Sequence, residues 1–456
     1  MSIKVAKFGG TSLADDIQLV KIKNIIDDDP DIKYVVVSAP GKRFKADNKV
    51  TDLLYGLKTL KDNNLPYDQT LDIIKSRFDV VMMHLGIRLD LSKEYEKIVN
   101  ALESGADKDH IASRGEYLNA LVTAEYLGFD FVDAADLIRF DERGRFLEEE
   151  TNINIAEKLS EHEHAVIPGF YGSRPDGRIR TFSRGGSDIT GALVARAVGA
   201  DLYENWTDVS GFMITDPRIV PNAKHIENIT YRELRELSHM GASVLHEDAI
   251  YPARKAGIPI VIKNTELPEH PGTLITEEVA EHNRNRIVTG FAGRKGFSLF
   301  SIRKKAIDED RGFYRKLTGL FEDRNIRIVH LLTGEDSAVV IVKNDDLGEQ
   351  ILDIIDDLTD QLRTDNIEFF EEVALVAAVG EGMRYIPGVY ECVLDSLTRE
   401  GIETGMIYQG LRRTNIIVAV LAKDYDRAIR TIYKALEKHG SMKPKKSGQK
   451  RKPRKV

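Results

Sequence analysis

From Ile3 to about Thr276 the chain alternates short, apolar, β-rich runs with stretches of helical spacing, and nothing else in it narrows the fold as far. "YVVVSAP" (34–40), "FDFVDAADL" (129–137), "HAVIPGFYG" (164–172), "ADLYENWTDV" (200–209) and "IPIVIKN" (258–264) read as buried strands. "LVTAEYLG", "ITGALVARAVG" and "TYRELRELSHMG" lie between them with helical periodicity. Near-continuous apolar strands need cover on both faces, so the alternation predicts an α/β fold, an αβα sandwich around a mainly parallel sheet. Ligands of such sheets collect at the carboxyl ends of the strands. Residues 45–110 add a mostly helical insertion.

Beyond "EEVAEHNRNRIVTGFAG" the texture changes to an internal repeat. One copy reads "GFYRKLTGLFEDRNIRIVHLL" from Gly312, the other "GVYECVLDSLTREGIETGMIY" from Gly388. An isoleucine, Ile326 or Ile402, stands fourteen residues after each glycine, preceded by Asn325 or Gly401. Each copy has a strand before the glycine, a later strand ("SAVVIVK", "TNIIVAVLA") and a closing helix ("LGEQILDIIDDL", "DYDRAIRTIYKAL"). Two βαββαβ units are expected, of a kind that senses small ligands or pairs with its like. The predicted division is 1–285, 286–440 and a tail over 441–456.

With 456 residues the chain exceeds one ordinary core, and 42% apolar with 30% charged residues marks a soluble globular protein. The net charge of −8 averages two unlike parts. "SMKPKKSGQKRKPRKV" holds eight Lys/Arg and no acid, whereas residues 1–440 hold 57 basic and 73 acidic side chains. An acidic body makes a poor nucleic-acid surface, and a tail with little to bury is expected to be a disordered, solubilising extension. Cys392 is the only cysteine, which excludes an intrachain disulfide and points to a reducing compartment. Its neighbours "YECVLDSL" suggest a helix and a buried structural thiol. No signal-type segment opens the chain, and "VALVAAV" is too short to span a bilayer, so a cytoplasmic protein off the membrane is expected.

Several stretches carry chemistry. "KVAKFGGTS" (4–12) places Lys7, Gly9 and Gly10 between a strand and the helical "DDIQLVKIKNIID". There backbone N–H groups can face an anion, or the glycines can merely supply a tight turn. In "DKDHIASRGEYLNALVTAEYLG", Ser113 and Glu116 fit a capping box, and Glu116 equally suits recognition of an ammonium. "RTFSRGGSDITGALVARAVGAD" opens a helix, with Ser187 as its expected cap. Arg184 there offers a fork for a carboxylate, Gly185 and Gly186 admit a ligand to the backbone, and Asp188 suits an orienting or cation-organising role. In "WTDVSGFMITDPR" Trp206 is expected in the core. Asp208 and Asp216-Pro217-Arg218 form turns, or else hold a nucleotide and its Mg2+. No Cys/His metal cluster, Walker-type loop or protein-kinase signature is present.

Taken together, "KFGGTS", "SRGE", "FSRGGSD", "WTDV", "TDPR" and "MGASVLHEDAI", followed by the repeat, resemble the monofunctional aspartate kinases of the amino-acid kinase family, with tandem ferredoxin-like ACT domains. The resemblance covers nearly all of residues 1–440. It implies ATP- and Mg2+-dependent phosphorylation of L-aspartate to 4-phospho-L-aspartate, feeding lysine, threonine and methionine synthesis. By motif, Lys7, Phe8, Gly9 and Gly10 would receive the nucleotide phosphates, with Lys7 and Asp188 catalytic. Ser38 and Thr51 would line the substrate side, Glu116 would meet the aspartate ammonium and Arg184 its carboxylate. Gly185, Gly186 and Ser187 would complete that pocket, and Thr207, Asp208, Met213 and Arg218 would face the nucleotide. The ACT region would form a homodimer and bind lysine, threonine or both near "KKAIDEDRGF" and "HLLTGEDS", with Asp308, Asp310, Glu335 or Asp336 reading a cationic side chain. Two positions depart from the family pattern. "GASVLHE" places Ser243 and Glu247 where many relatives have "GAKVLHP", and His330 stands where lysine-sensing relatives often have aspartate. The alternatives are a glutamate or acetylglutamate kinase and a catalytically inactive ACT sensor.

Overall fold

The computed structural model of the chain describes residues 2–183, 185–241, 245, 247–278 and 286–441, without the side chains of Glu247, Asp248, Gly440 and Ser441. Arg184, Ser243 and the expected tail from 442 onward therefore lie outside the described residues. Two compact units divide the chain, and not at a single boundary. The first comprises 1–212, 225–235 and 243–279; the second takes 213–224, 236–242 and everything from 280.

The first unit is built on an eight-stranded sheet. Six neighbouring strands run parallel, in the order Ile260–Asn264, Leu202–Thr207, Lys4–Phe8, Ile32–Val37, Ala165–Pro168, Asp130–Phe131. Thr273–Thr276 adds antiparallel to Ile260–Asn264, with Asn228–Thr230 beside it. The five expected strands all form, but "FDFVDAADL" contributes only Asp130–Phe131. Asp133 caps the short helix Ala134–Leu137 through the Ala135 N–H at 2.9 Å, a local hydrogen bond that wins over extension.

The insertion is four helices: Val50–Asp62, Asp68–Leu85, Ser92–Glu103 and Lys108–Leu127. Their apolar stripes (Leu54, Ile74, Phe78, Ile98, Leu118) share one core with Phe8, Val35 and Trp206 of the sheet. Lys108–Leu127 enters deepest, because Gly115 lets it meet the chain after Val37. A Cβ on Gly115 would stand 2.8 Å from the Ala39 Cβ.

In the second unit a six-stranded antiparallel sheet has the order Ile328–Thr333, Ser337–Lys343, Gly290–Arg303, Asn366–Val379, Asn415–Leu421, Thr404–Tyr408. The repeat is real and its spacing has a backbone cause. Asn325 (φ 58°) and Gly401 (φ 63°) turn left-handed directly after the helices Phe313–Glu322 and Val389–Arg399. The next N–H, of Ile326 or Ile402, then bonds back to Phe321 or Leu397 and buries the isoleucine. The two copies are not self-contained. Residues 297–303 pair with the strand Ser337–Lys343, while 290–295 pair with 374–379 beside Asn415–Leu421. The chain thus supplies an edge strand of the second copy before it enters the first. The register shifts where it passes from one copy to the other, around Gly296 (φ 89°). "VALVAAV" is the buried half of the strand Asn366–Val379. Cys392 is half-buried on its helix, donating to the Ala435 carbonyl at 3.6 Å, and burial raises its pKa. Among the described residues no helix is long and apolar enough to cross a membrane.

Candidate active site

The chain leaves four adjacent parallel strands at one end of the first sheet, and three of the exits carry predicted site residues. Phe8 runs into Gly9-Gly10, Val37 into Ser38, Pro168 into Gly169, and Thr207 into Asp208. Lys4–Phe8 continues to Ile32–Val37 on one side and pairs with Leu202–Thr207 on the other, so the glycine turn lies where the winding reverses.

Lys7 and Asn205 are register partners on neighbouring strands. Both reach Asp188, whose Oδ1 is 2.7 Å from Lys7 Nζ and accepts from Asn205 Nδ2 at 2.9 Å. The Lys7 side chain is 9% exposed, so this charge sits in a desolvated place where its field is strong. Asp188 belongs to the first turn of the helix Gly186–Ala197. Ser187 is not the cap: Gly185 is, with φ 57°, and no side chain caps the helix. The first-turn N–H groups, which a helix cannot satisfy internally, are therefore available to an anion. The cause is close packing, since a Cβ on Gly186 would fall 2.5 Å from the Phe170 ring and one on Gly169 2.7 Å from the Ser187 Cβ.

The glycine turn is likewise shaped by approach. A Cβ on Gly10 would stand 2.9 Å from the Ala39 carbonyl oxygen. A Cβ on Gly9 would meet only the Trp206 carbonyl oxygen at 3.5 Å and Lys7 Nζ at 3.6 Å. Phe8 is fully buried and stacks on Trp206 with centroids 5.9 Å apart, which makes Phe8 the floor of the turn.

Glu116 lies on the buried face of Lys108–Leu127, 5% exposed. The capping-box reading fails. The helix begins at Lys108, Asp107 caps it through the His110 N–H at 2.9 Å, and Ser113 and Glu116 lie inside it. Burial pushes the Glu116 carboxyl up to about 8, against the opposing pull of its own backbone N–H, that of Ala39 and the Arg114 charge. Its Oε2 is buried without a hydrogen-bond partner. One turn on, Asn119 Nδ2 donates to the Ser38 carbonyl at 2.7 Å and ties the helix to the end of Ile32–Val37. Thr51 opens the neighbouring helix beside Val50, which faces Gly115.

The Thr207 hydroxyl donates to Asp208 Oδ1 at 3.2 Å, and the Thr207 carbonyl accepts from the Thr265 N–H at 2.9 Å. The Thr265 and Ser12 hydroxyls are 2.6 Å apart. Met213 and Arg218 lie in the segment 213–224. They belong to the second unit, where Arg218 pairs with Asp216 at 2.6 Å and its side chain is 89% exposed. Sequence reading missed Asn205 and Asn119. Asn119 follows Glu116 at helical spacing and could have been found, whereas Asn205 becomes visible only through the strand register.

Of the acids expected to read an effector, two are already engaged. Asp310 pairs with Lys304 at 2.5 Å, and Asp336 Oδ1 accepts from the Ala306 N–H at 2.7 Å. His330 is half-buried, its ring 6.1 Å from that of Tyr408, and burial lowers its pKa.

Residues 2–264 match the model of the amino acid kinase family, and residues 376–436 match an ACT domain. Aspartokinase 3 of Bacillus subtilis is 33% identical over 450 residues, 94% of this chain and 98% of its own length. The crystal structure of Clostridium acetobutylicum aspartate kinase aligns with a TM-score of 0.89 at 43% identity, covering 96% of this chain and 100% of that one. Escherichia coli aspartokinase III, with aspartate and ADP in its R-state, aligns with a TM-score of 0.71 at 26% identity, over 96% of this chain and 100% of that one. The same protein with lysine and aspartate in its T-state gives 0.73 at 26% identity, over 95% and 99%. These relatives do not favour the readings as a glutamate or acetylglutamate kinase or as an inactive sensor. The chain belongs to the amino acid kinase family, among the aspartokinases with a C-terminal ACT region.

Proposed function

We propose that the chain transfers the γ-phosphoryl group of ATP to the β-carboxylate of L-aspartate, giving 4-phospho-L-aspartate and ADP, through a catalytic region over 1–285. The observation that carries this is the Glu116 carboxyl, buried and with one oxygen unpartnered, on the helix that Asn119 ties to Ser38 at the end of the strand Ile32–Val37. A lone buried carboxylate calls for a cation, and the α-ammonium of an amino acid supplies one. Arg184, by its planar fork, takes the α-carboxylate; Ser38, Thr51 and the Gly185–Ser187 turn line the rest. The bound complex of the Escherichia coli relative with aspartate and ADP supports this choice of ligands.

The β-carboxylate is ionised at neutral pH, so no base has to take a proton. A carboxylate oxygen forms the new bond to phosphorus while the bond to the ADP oxygen breaks, and the electron pair leaves with ADP. The protein's task is positioning and charge. Lys7, the helix N-terminus at Gly186–Asp188 and the Gly10 N–H of the glycine turn stabilise the transferring group, while the Gly9 N–H is engaged by the Trp206 carbonyl at 3.0 Å and Asp188 holds Lys7 in place until then. Thr207 and Asp208 flank the nucleotide. Among the described residues no group of three or more acidic, histidine or cysteine side chains is placed to hold a metal. Mg2+ would be held mainly through the nucleotide phosphates, with Asp188 the nearby carboxylate, and would add charge neutralisation.

The ACT region, over 286–440, forms the homodimer and takes a feedback amino acid, lysine or threonine, in a cytoplasmic enzyme. Support comes from the lysine complex of the Escherichia coli relative. With Asp310 and Asp336 engaged, Asp308 and Glu335 remain to read a cationic side chain. ADP release tested with aspartate, glutamate and acetylglutamate in turn decides the function. Aspartate alone should drive it, and turnover with either rival instead sinks the assignment.

A further inference from the structure

Arg77 sits in the middle of the helix Asp68–Leu85, in the insertion, with a side chain 4% exposed. A buried guanidinium is costly unless its donors are used, and four contacts use them. Nη2 donates to the Gly41 carbonyl at 2.8 Å and the Ala14 carbonyl at 3.0 Å. Nη1 donates to the Asn48 carbonyl at 3.1 Å and to Asp47 Oδ2 at 3.0 Å. Asp47 also takes Arg43 at 2.8 Å, which holds its carboxyl well below the usual range.

Three of these four partners are backbone carbonyls of two loops that matter. Ala14 ends the turn that begins at Gly10. Gly41 and Asn48 lie on the loop that runs from Ser38 to Lys49, just before the helix that holds Thr51. The loops meet at one point: the Gly41 N–H donates to the Gly10 carbonyl at 2.7 Å, and the Gly41 carbonyl goes to Arg77. There is no slack there. A Cβ on Gly41 would lie 2.6 Å from both the Gly10 carbonyl carbon and its oxygen.

We propose that Arg77 is a positioning residue for phosphoryl transfer. It never touches substrate, and through Gly41 it fixes the Gly9–Gly10 turn against the Ser38–Lys49 loop, so that phosphate and acceptor carboxylate are presented in register. A planar fork can bind three carbonyls of two loops at once, and an ammonium cannot span them. The inference rests on the reading of Gly9–Gly10 as the phosphate turn.

The experiment compares wild type, Arg77→Lys, Arg77→Ala, Gly41→Ala and Asp47→Asn for kcat, both KM values and calorimetric ADP affinity. Wild-type binding of ADP tests the phosphate-turn reading, and the variants test this one. Arg77→Lys should lower kcat at least about tenfold, since a misplacement of order 1 Å costs up to about a hundredfold. Gly41→Ala should cost about the same, and the double variant no more than the worse single, because both break one contact. Millimolar guanidinium should restore Arg77→Ala several-fold. Asp47→Asn leaves the three carbonyl bonds and should keep kcat within about twofold while lowering Tm. A folded Arg77→Lys with wild-type kcat and ADP affinity overturns the proposal, as do losses that multiply in the double variant. If Arg77→Lys does not fold, a fully active Gly41→Ala overturns it equally.

Discussion

Aspartate binding should expel a proton from Glu116. The carboxyl moves from its ordinary 4.5 to about 8 because burial removes the water that would solvate the ion. That displacement disfavours the ion by about 5 kcal/mol. At pH 7 about nine free sites in ten therefore hold the proton. An ammonium set against Oε2 favours the ion, lowers the pKa and releases that proton. Binding should thus liberate close to one proton at pH 7 and fewer as pH rises past 8. Calorimetric titration with aspartate in two buffers of different ionisation enthalpy reads this number directly. Stability has a matching sign. The native carboxyl binds its proton more tightly than the unfolded one, so this contribution is complete below pH 4.5 and is lost as pH rises through 8. Glu116→Gln, which has no proton to lose, should abolish the release, raise the aspartate KM and flatten that part of the Tm–pH curve. Binding heats independent of buffer at pH 7 would refute the reasoning, and so would a proton release that survives in Glu116→Gln.

Other substitutions test other parts of the site. Lys7→Ala should lower kcat about a hundredfold or more, as removal of a preorganised charge does, with Asp188 still held by Asn205; ADP release in a coupled assay checks it. Gly9→Ala should fold with a near wild-type Tm yet lose activity, since its Cβ clashes with nothing but points to within 3.6 Å of Lys7 Nζ, whereas Gly10→Ala should lose both. The full chain should sediment as a dimer. Cutting after residue 285 should yield a monomer of lowered Tm, because Ile214 and Leu237, in segments of the second unit, lose Phe291 and Gly290 as neighbours. A truncated chain that remains dimeric removes the ACT region from assembly.

The order of elements was legible because it rests on periodicity, which is local. Apolar strands alternating with helices specify a covered parallel sheet, and Asn325 and Gly401 announce two equivalent left-handed turns, whatever lies around them. The turn that holds Lys7, Gly9 and Gly10 was legible for the same reason, since a strand, two glycines and a helix are consecutive. Contacts between distant segments were not. Ser113 and Glu116 satisfy the spacing of a capping box, yet Asp107 starts the helix a turn and a half earlier, so Glu116 is free to face inward. Asn205 meets Asp188 only because the first strand pairs in register with Leu202–Thr207, almost two hundred residues away in sequence. Nothing in the spacing around Arg77 marks it. It is buried because that helix packs across the loops whose carbonyls it binds, and the second ACT copy completes its sheet with residues that precede the first. Spacing decides which face of an element a side chain occupies, and only the packed chain decides what that face meets.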